Sequence, residues 1–259
     1  MKTLIHQDPW QRLRTHTSAR IALGASGASL PTEELLRLGV AHAQARDAVH
    51  QPLQVAALQT QLQDLQLPIL HVHSAARDRA TYLLRPDWGR RLSEQSLSVL
   101  QSQMAAPCDV LCVIGDGLSA TAVERYAAPL LQALLPLLQA QGLRIGPVVV
   151  AQQARVALAD PIAQLLQARL VVMLIGERPG LSSSDSMGAY VTWQPQQATS
   201  DAARNCVSNI RDAGLPPAAA AAKLHWLIEH ALARQLTGVA LKDESESQAL
   251  LPAANAWKA

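Results

Sequence analysis

Phenylalanine is missing altogether from the 259 residues, lysine appears 4 times against 18 arginines, and aromatic side chains make up only 3%. Arginine can clamp phosphates and carbonyls bidentately, but a GC-rich coding bias gives the same excess with no function attached, so composition alone names no ligand. There is no electrostatic footprint for nucleic acid either: the net charge is +2, with acids interspersed among the bases. No apolar run approaches the roughly 20 residues that span a bilayer, and the longest, over 170–175, is strand-sized. Asp8 and Pro9 stand where a signal peptide would need an apolar stretch. Three cysteines (Cys108, Cys112 and Cys206) make no disulfide framework, which points to a reducing, cytoplasmic compartment.

What is present is apolar. At 49% hydrophobic and 16% charged, the chain carries enough for one or two domains with a sizeable core and too much for disorder. The first third reads as helical. Thr32 is the expected N-cap, Glu33 and Glu34 suit the positive helix end, and Arg46 sits near the finish. A second helix is expected after Pro52, ended by Pro68, with a short strand at 69–72. A brief strand at 81–84, a turn at 86–89 and a helix over 90–103 follow. Strands are expected at 109–114, 145–150, 170–175 and 190–193. The intervening helices run from the 115–117 turn toward Gln141, where Pro129 and Pro136 are expected to kink or split the helix, and over 161–168. A last helix over 217–236 has Leu224, Leu227, Ile228 and Ala231 on one face.

This alternation predicts an α/β fold: a Rossmann-like, mostly parallel sheet with helices on both faces, preceded by an N-terminal helical region. The expected divisions are 1–80 for the helical region, 81–241 for the Rossmann-like domain and 242–259 for a flexible acidic tail. Ligands of such sheets bind beyond the strand carboxyl ends. That singles out the turn Gly115-Asp116-Gly117, the loops 152–156 and 176–180, and the segment after Trp193.

Residues 115–120 fit the dinucleotide pattern G-x-G-x-x-G/A at a strand-to-helix turn. The following strand ends without the acid that would hold a ribose hydroxyl, and Asp116 would face the pyrophosphate with like charge. His71 and His73 share a strand face, yet no third cluster of ligands recurs at metal spacing, so ordinary strand histidines are expected. Cys108 and Cys112 read as core thiols. Ser182, Ser183 and Ser184 lack a G-x-S-x-G elbow, which argues against a hydrolase. In the loop 176–180, Glu177 is an acid at a mouth that offers few other acceptors; the alternative is a solvated turn with a Glu177–Arg178 surface pair.

Six segments together resemble the small (light) subunit of adenosylcobalamin-dependent ethanolamine ammonia-lyase: RTHTSARIALGASG at 14–27, RPDWGRRL at 85–92, GDGLSA at 115–120, GERPGL at 176–181, CVSNIR at 206–211 and GLPPA at 214–218. The resemblance covers about 8–241. It implies an enzyme active only with a large subunit, a TIM barrel holding substrate and adenosyl group, and converting ethanolamine to acetaldehyde and ammonia by a radical route. The small subunit is implied to be Rossmann-like and to cover the corrin ring at the shared interface, in an oligomer of large/small heterodimers. The family's cobalamin positions fall on Val156, Glu177 and Cys206, with no catalytic residue and no metal ligand expected in this chain. No D-x-H-x-x-G motif is present, so the cofactor's own dimethylbenzimidazole is expected to stay on cobalt. Members housed in bacterial microcompartments tend to carry an extension before the RTHTSAR region, whereas only about a dozen residues precede it here. Two readings stand beside this one: an NAD(P)-binding oxidoreductase resting on residues 115–120, and a cobalamin-binding or scaffold subunit without a role in turnover.

Overall fold

The strand at the centre of the molecule is buried along its whole length, which only a sheet covered on both faces can accommodate. The computed structural model describes residues 5–103, 106–197 and 199–245. In chain order its elements are α1 (Thr32–His50), α2 (Val55–Leu62), β1 (Ile69–His73), α3 (Arg79–Leu84), α4 (Glu94–Ser102), β2 (Cys108–Gly115), α5 (Ala120–Ala140), β3 (Ile145–Gln152), α6 (Ala159–Leu165), β4 (Ala168–Gly176), β5 (Met187–Trp193), β6 (Asn205–Ile210) and α7 (Pro217–Arg234). The strand order is β1-β3-β2-β4-β5-β6. Alternate residues of the strands feed two cores. Val110, Cys112, Ile114, Val148, Val150, Leu170, Val172 and Leu174 pack under α5 and α7. Leu111, Val113, Val149, Ala151, Val171, Met173 and Ile175 pack toward α6.

The sheet is mixed, which corrects the mostly parallel expectation. β1, β3, β2 and β4 pair in parallel, whereas β4–β5 and β5–β6 are antiparallel. The reason lies in the connections. A parallel neighbour needs a crossover of about a dozen residues or more, usually a helix. Residues 177–186 and 194–204 hold no α-helix, so the chain turns back on itself twice. β6 was not expected, whereas β1 is the short strand expected at 69–72; it joins the sheet although it falls within the 1–80 span expected to be a helical region.

Other local expectations shift for equally local reasons. Residues 81–84 are helical rather than extended, because the Asp78 carboxylate accepts from the Thr81 amide at 2.7 Å and caps α3. Pro31, not Thr32, occupies the cap of α1, and α4 starts only after Ser93, whose hydroxyl accepts from the Ser96 amide. α5 runs unbroken through both prolines. Pro129 and Pro136 lie on its exposed side, as do Arg125 and Gln132 four residues before them, so water can replace the lost donors while a row of leucines holds the other side. Of the expected tail, residues 246–259 lie outside the described residues; Asp243 pairs with Lys223 at 2.9 Å.

At the amino ends of the strands Asp109, only 7% exposed, draws two neighbours together. Its carboxylate accepts from the Arg144 amide at 3.0 Å, Arg144 Nε at 3.2 Å and Arg169 Nη1 at 3.1 Å, joining β2 to the starts of β3 and β4. The Arg144 side chain chiefly, with its amide and Arg169, pulls the Asp109 carboxyl down to about 2 against the cost of burial. A depressed carboxyl stabilises the fold above its unfolded pKa, and that contribution fades as pH falls from about 4 toward about 2. Urea midpoints compared at about pH 6 and about pH 3 should therefore drop further for the wild type than for Asp109→Asn, which lacks the titrating group. Equal drops would remove Asp109 from this role.

Candidate functional site

The loops leaving the carboxyl ends of β2 and β4 press backbone against backbone. Gly117 has φ +57°, and a Cβ there would lie 2.1 Å from the Gly176 carbonyl oxygen; one on Gly176 would lie 2.1 Å from the Ser119 carbonyl oxygen. The Leu118 amide donates to Gly176 O at 2.9 Å. Asp116, nearly fully buried, accepts from the amides of Gln153 and Ala154, both at 2.9 Å, and Arg79 Nη1 approaches it at 3.5 Å. Burial pushes the Asp116 carboxyl up, and those amides and Arg79 pull it back. The two glycines thus serve loop packing, and a carboxylate fills the crevice a pyrophosphate would need, so nothing here favours the dinucleotide reading.

Asp116 also sets the first expected site residue. Fixing Gln153 and Ala154 directs the chain through Arg155, whose amide donates to Gly89 O at 2.8 Å and whose guanidinium stacks 4.3 Å from the Tyr82 ring. Tyr82 in turn donates to Ala154 O at 2.9 Å. Val156 then opens a 3-10 turn, half-buried against the α6-side core.

Glu177 follows β4 directly. Its amide donates to Ser186 O at 2.9 Å, and its carboxylate accepts from the Ser186 hydroxyl, from Ser208 Oγ at 2.6 Å and from the Asn209 amide at 3.3 Å. The side chain lies down over Gly188, where a Cβ would meet Oε1 at 2.9 Å. The solvated-turn alternative is therefore wrong in its detail: Glu177 clamps three segments and does not pair with Arg178. Cys206 stands opposite Tyr190 in the β5–β6 register and is exposed, whereas Cys108 and Cys112 are buried. Packing around the sulfur pushes the Cys206 thiol up, a hydrogen bond from the Tyr190 hydroxyl pulls it back, and the Glu177 charge adds to the rise. Burial, with a smaller push from Cys108, carries Cys112 up to about 12, as befits a core thiol.

Strand register puts Glu177, Gly188, Tyr190, Cys206 and Ser208 on the same face as the α6-side core, and Val156 reaches that face from the end of β3. Glu177 and Cys206 are close enough to interact electrically; Val156 lies across β2 and β4 from them. The β3, β2 and β4 part of that side is core packed toward α6, so its open part is the strip along β6, where Cys206 and Ser208 are exposed and Tyr190 is half-buried. Arg204 anchors its far edge. Its guanidinium, 1% exposed, grips Asp160 of α6 with two bonds of 2.7 Å and reaches Thr192 at 3.0 Å, two residues before Cys206. Sequence reasoning missed Tyr190, Ser186, Gly188 and Ser208, whose only signal was alternation along strands not yet known to be antiparallel. His71 is exposed, His73 Nδ1 meets Ser74 O, and no group of three possible metal ligands occurs among the described residues. A cavity of about 930 Å³ between α4 and α6 touches none of Val156, Glu177 or Cys206.

Fold and site together define an α/β protein whose mixed sheet leaves an acceptor-edged strip open along β6. Comparison with known proteins sharpens that class. The model of the ethanolamine ammonia-lyase light chain (EutC) family matches residues 7–242, and the chain belongs to that family. It is 53% identical to an ethanolamine ammonia-lyase small subunit of Azotobacter vinelandii over 243 residues, 93% of this chain and 90% of the relative. The small subunits of Ralstonia nicotianae and Bradyrhizobium diazoefficiens are each 52% identical, covering 93% of this chain and 91% and 93% of their own lengths.

The loop crossing yields a test. Gly117→Ala adds a side chain at positive φ, costing about 1–2 kcal/mol, and crowds the Gly176 carbonyl, costing about 1–3 kcal/mol more. Urea unfolding should show that combined loss; a change below about 0.5 kcal/mol would mean the loops separate freely.

Proposed function

We propose that this chain is the small subunit of an adenosylcobalamin-dependent ethanolamine ammonia-lyase, and that its open sheet face covers the corrin ring where the large subunit meets it. One observation carries the reading. Glu177 and Cys206, the positions the family resemblance implies for cobalamin, lie in different segments of the chain yet come within electrostatic reach of each other beside the open strip along β6, and Val156 lies on the same side of the sheet. In the same reading residues 81–241 act as the Rossmann-like cobalamin-binding part, and the complex is an oligomer of large/small heterodimers working in the cytoplasm, with or without a microcompartment. None of the described helices is long and apolar enough to cross a membrane.

The residues present fit a corrin. Its rim carries amides, and the Glu177 carboxylate, with three donors from its own chain, keeps acceptor capacity for one more. Gly188 lets that carboxylate lie flat, so a broad ring can approach the sheet without meeting an upright side chain. Tyr190 and Cys206 offer a ring and a soft thiol beneath it, and Val156 an apolar edge.

When bound, adenosylcobalamin supplies the radical chemistry, which no protein side chain replaces. This chain's part is to bind and orient. Glu177 accepts from a rim amide and keeps Ser186, Ser208 and Asn209 paired, Tyr190 holds the Cys206 thiol in place, and the apolar border excludes water from one side of the ring. No histidine of this chain sits in a D-x-H-x-x-G context, so none of its side chains would be expected to bind the cofactor's metal.

Titrating the apo-complex with adenosylcobalamin tests the reading. Losing a hydrogen bond to a charged acceptor costs roughly 1.5–3 kcal/mol, so Glu177→Ala should weaken cofactor binding about ten- to a hundred-fold. The Michaelis constant for ethanolamine should barely move, because substrate lies on the large subunit's side. Unchanged cofactor affinity in a complex whose subunits still co-purify would contradict the proposal.

A further inference from the structure

The amino-terminal part of the chain is ordered by its own contacts but hides little of its apolar surface. His6 and Ala25 exchange backbone hydrogen bonds of 2.7 and 2.9 Å, and the close pass of Gly24 over His6 leaves no room for a side chain. Glu34, its side chain 10% exposed, holds Arg14 at 2.9 Å and Arg37 at 3.0 Å, tying the arm to α1. Yet the 3-10 helix Pro9–Thr15 contains no buried residue, and α1 buries only Ala41, Ala45 and Ala48. Of the fourteen large apolar side chains exposed among the described residues, eight fall between Ile5 and Val40, a concentration no isolated soluble chain requires. At about 3.6 residues per turn, Leu36 and Val40 point away from the buried alanines, and they are 65% and 57% exposed. Trp10 at 61% extends the same apolar character into the arm.

We infer that this surface, formed by Trp10, Leu13, Leu35, Leu36 and Val40, docks the large subunit of the lyase. The inference rests on the reading that the large subunit closes over the Glu177 face, and a direct contact links the two places. Arg20 Nη2 donates to Leu181 O at 3.0 Å, across 161 residues of sequence, and Leu181, itself 41% exposed, ends the GERPGL loop that begins beside Glu177. The exposed arm and the rim of the cofactor face are thus one continuous border, and a partner lying over the rim meets the arm as it extends. A second copy of this chain would have to leave that rim free for the large subunit while covering the arm directly against it. The chemistry of the patch is that of an interface core: aliphatic side chains and a tryptophan, with arginines and glutamates at its edge.

Affinity between separately purified subunits, measured without cofactor, tests this independently of where cobalamin binds. Leu36→Glu/Val40→Glu, both changes on an exposed helix face, should leave the unfolding midpoint of the small subunit in place and weaken association with the large subunit at least about tenfold. Trp10→Ala, in an arm segment with no buried residue, is the second variant and should weaken it in the same direction. Unchanged affinity in a folded variant overturns the inference. So does a small-subunit dimer that the double variant dissolves while large-subunit binding stays intact, since that assigns the face to a second copy. A failure of the cobalamin reading would appear instead in the cofactor titration of Glu177→Ala, with subunit affinity unaffected.

Discussion

The Glu177 carboxylate ties together the part of the sheet that has no crossover helix to hold it. Ser186 stands at the end of the return loop, Ser208 and the Asn209 amide belong to β6, and Glu177 itself caps β4. One charged group therefore fixes the entry to β5 and the register of the edge strand. The clamp needs space, which Gly188 supplies, and a kink, which Asn209 supplies at φ +59° with Gly214 packed against it. Such a carboxylate costs free energy to desolvate and is stabilised only if its donors are all in place. Its conformation is therefore set before any ligand arrives, which is the condition for precise binding.

The opposite edge of the same face depends on a costlier device. Arg204 and Asp160 are both almost wholly enclosed, and a buried pair contributes less to stability than its short distances suggest, because both partners lose their hydration. What the pair provides is position: it fastens the start of β6 to α6, a helix on the same side as the open face. Cys206, two residues later, inherits that placement and the Tyr190 hydroxyl opposite. The face is built from strands yet fixed by two charged side chains, Glu177 at one border and Arg204 at the other.

Much of this was legible in the sequence. The strongly apolar segments around Val113, Val149 and Val172 could only be central strands, and Pro68 stands just before β1, whereas the helix starts set by Asp78 and Ser93 were missed. The loops that carry Val156 and Glu177 follow the ends of β3 and β4, as the strand pattern implies. The direction of the last two strands was hidden, because short apolar stretches carry no sign of parallel or antiparallel pairing; only the lack of a helix in 177–186 could have told. Cys206 was therefore placed in a loop when it lies on β6, and its neighbours Tyr190 and Ser208 went unnoticed. The glycines of residues 115–117 illustrate a different limit. A pattern suited to close backbone approach does not say whether the approaching group is a phosphate or, as here, the Gly176 carbonyl.

The central claim is that bound cobalamin lies over the β5–β6 face, and the Cys206 thiol reports on that face directly, since the other two cysteines are buried. The measurement is the alkylation rate of the Cys206 peptide in the large–small complex, read by mass spectrometry at mildly alkaline pH with and without adenosylcobalamin. The expected result is slow but measurable modification in the cofactor-free complex and protection of at least about tenfold once the cofactor is bound, as for any thiol closed off from its reagent. Equal rates with and without cofactor, in a complex that binds it, would place cobalamin elsewhere and contradict the account.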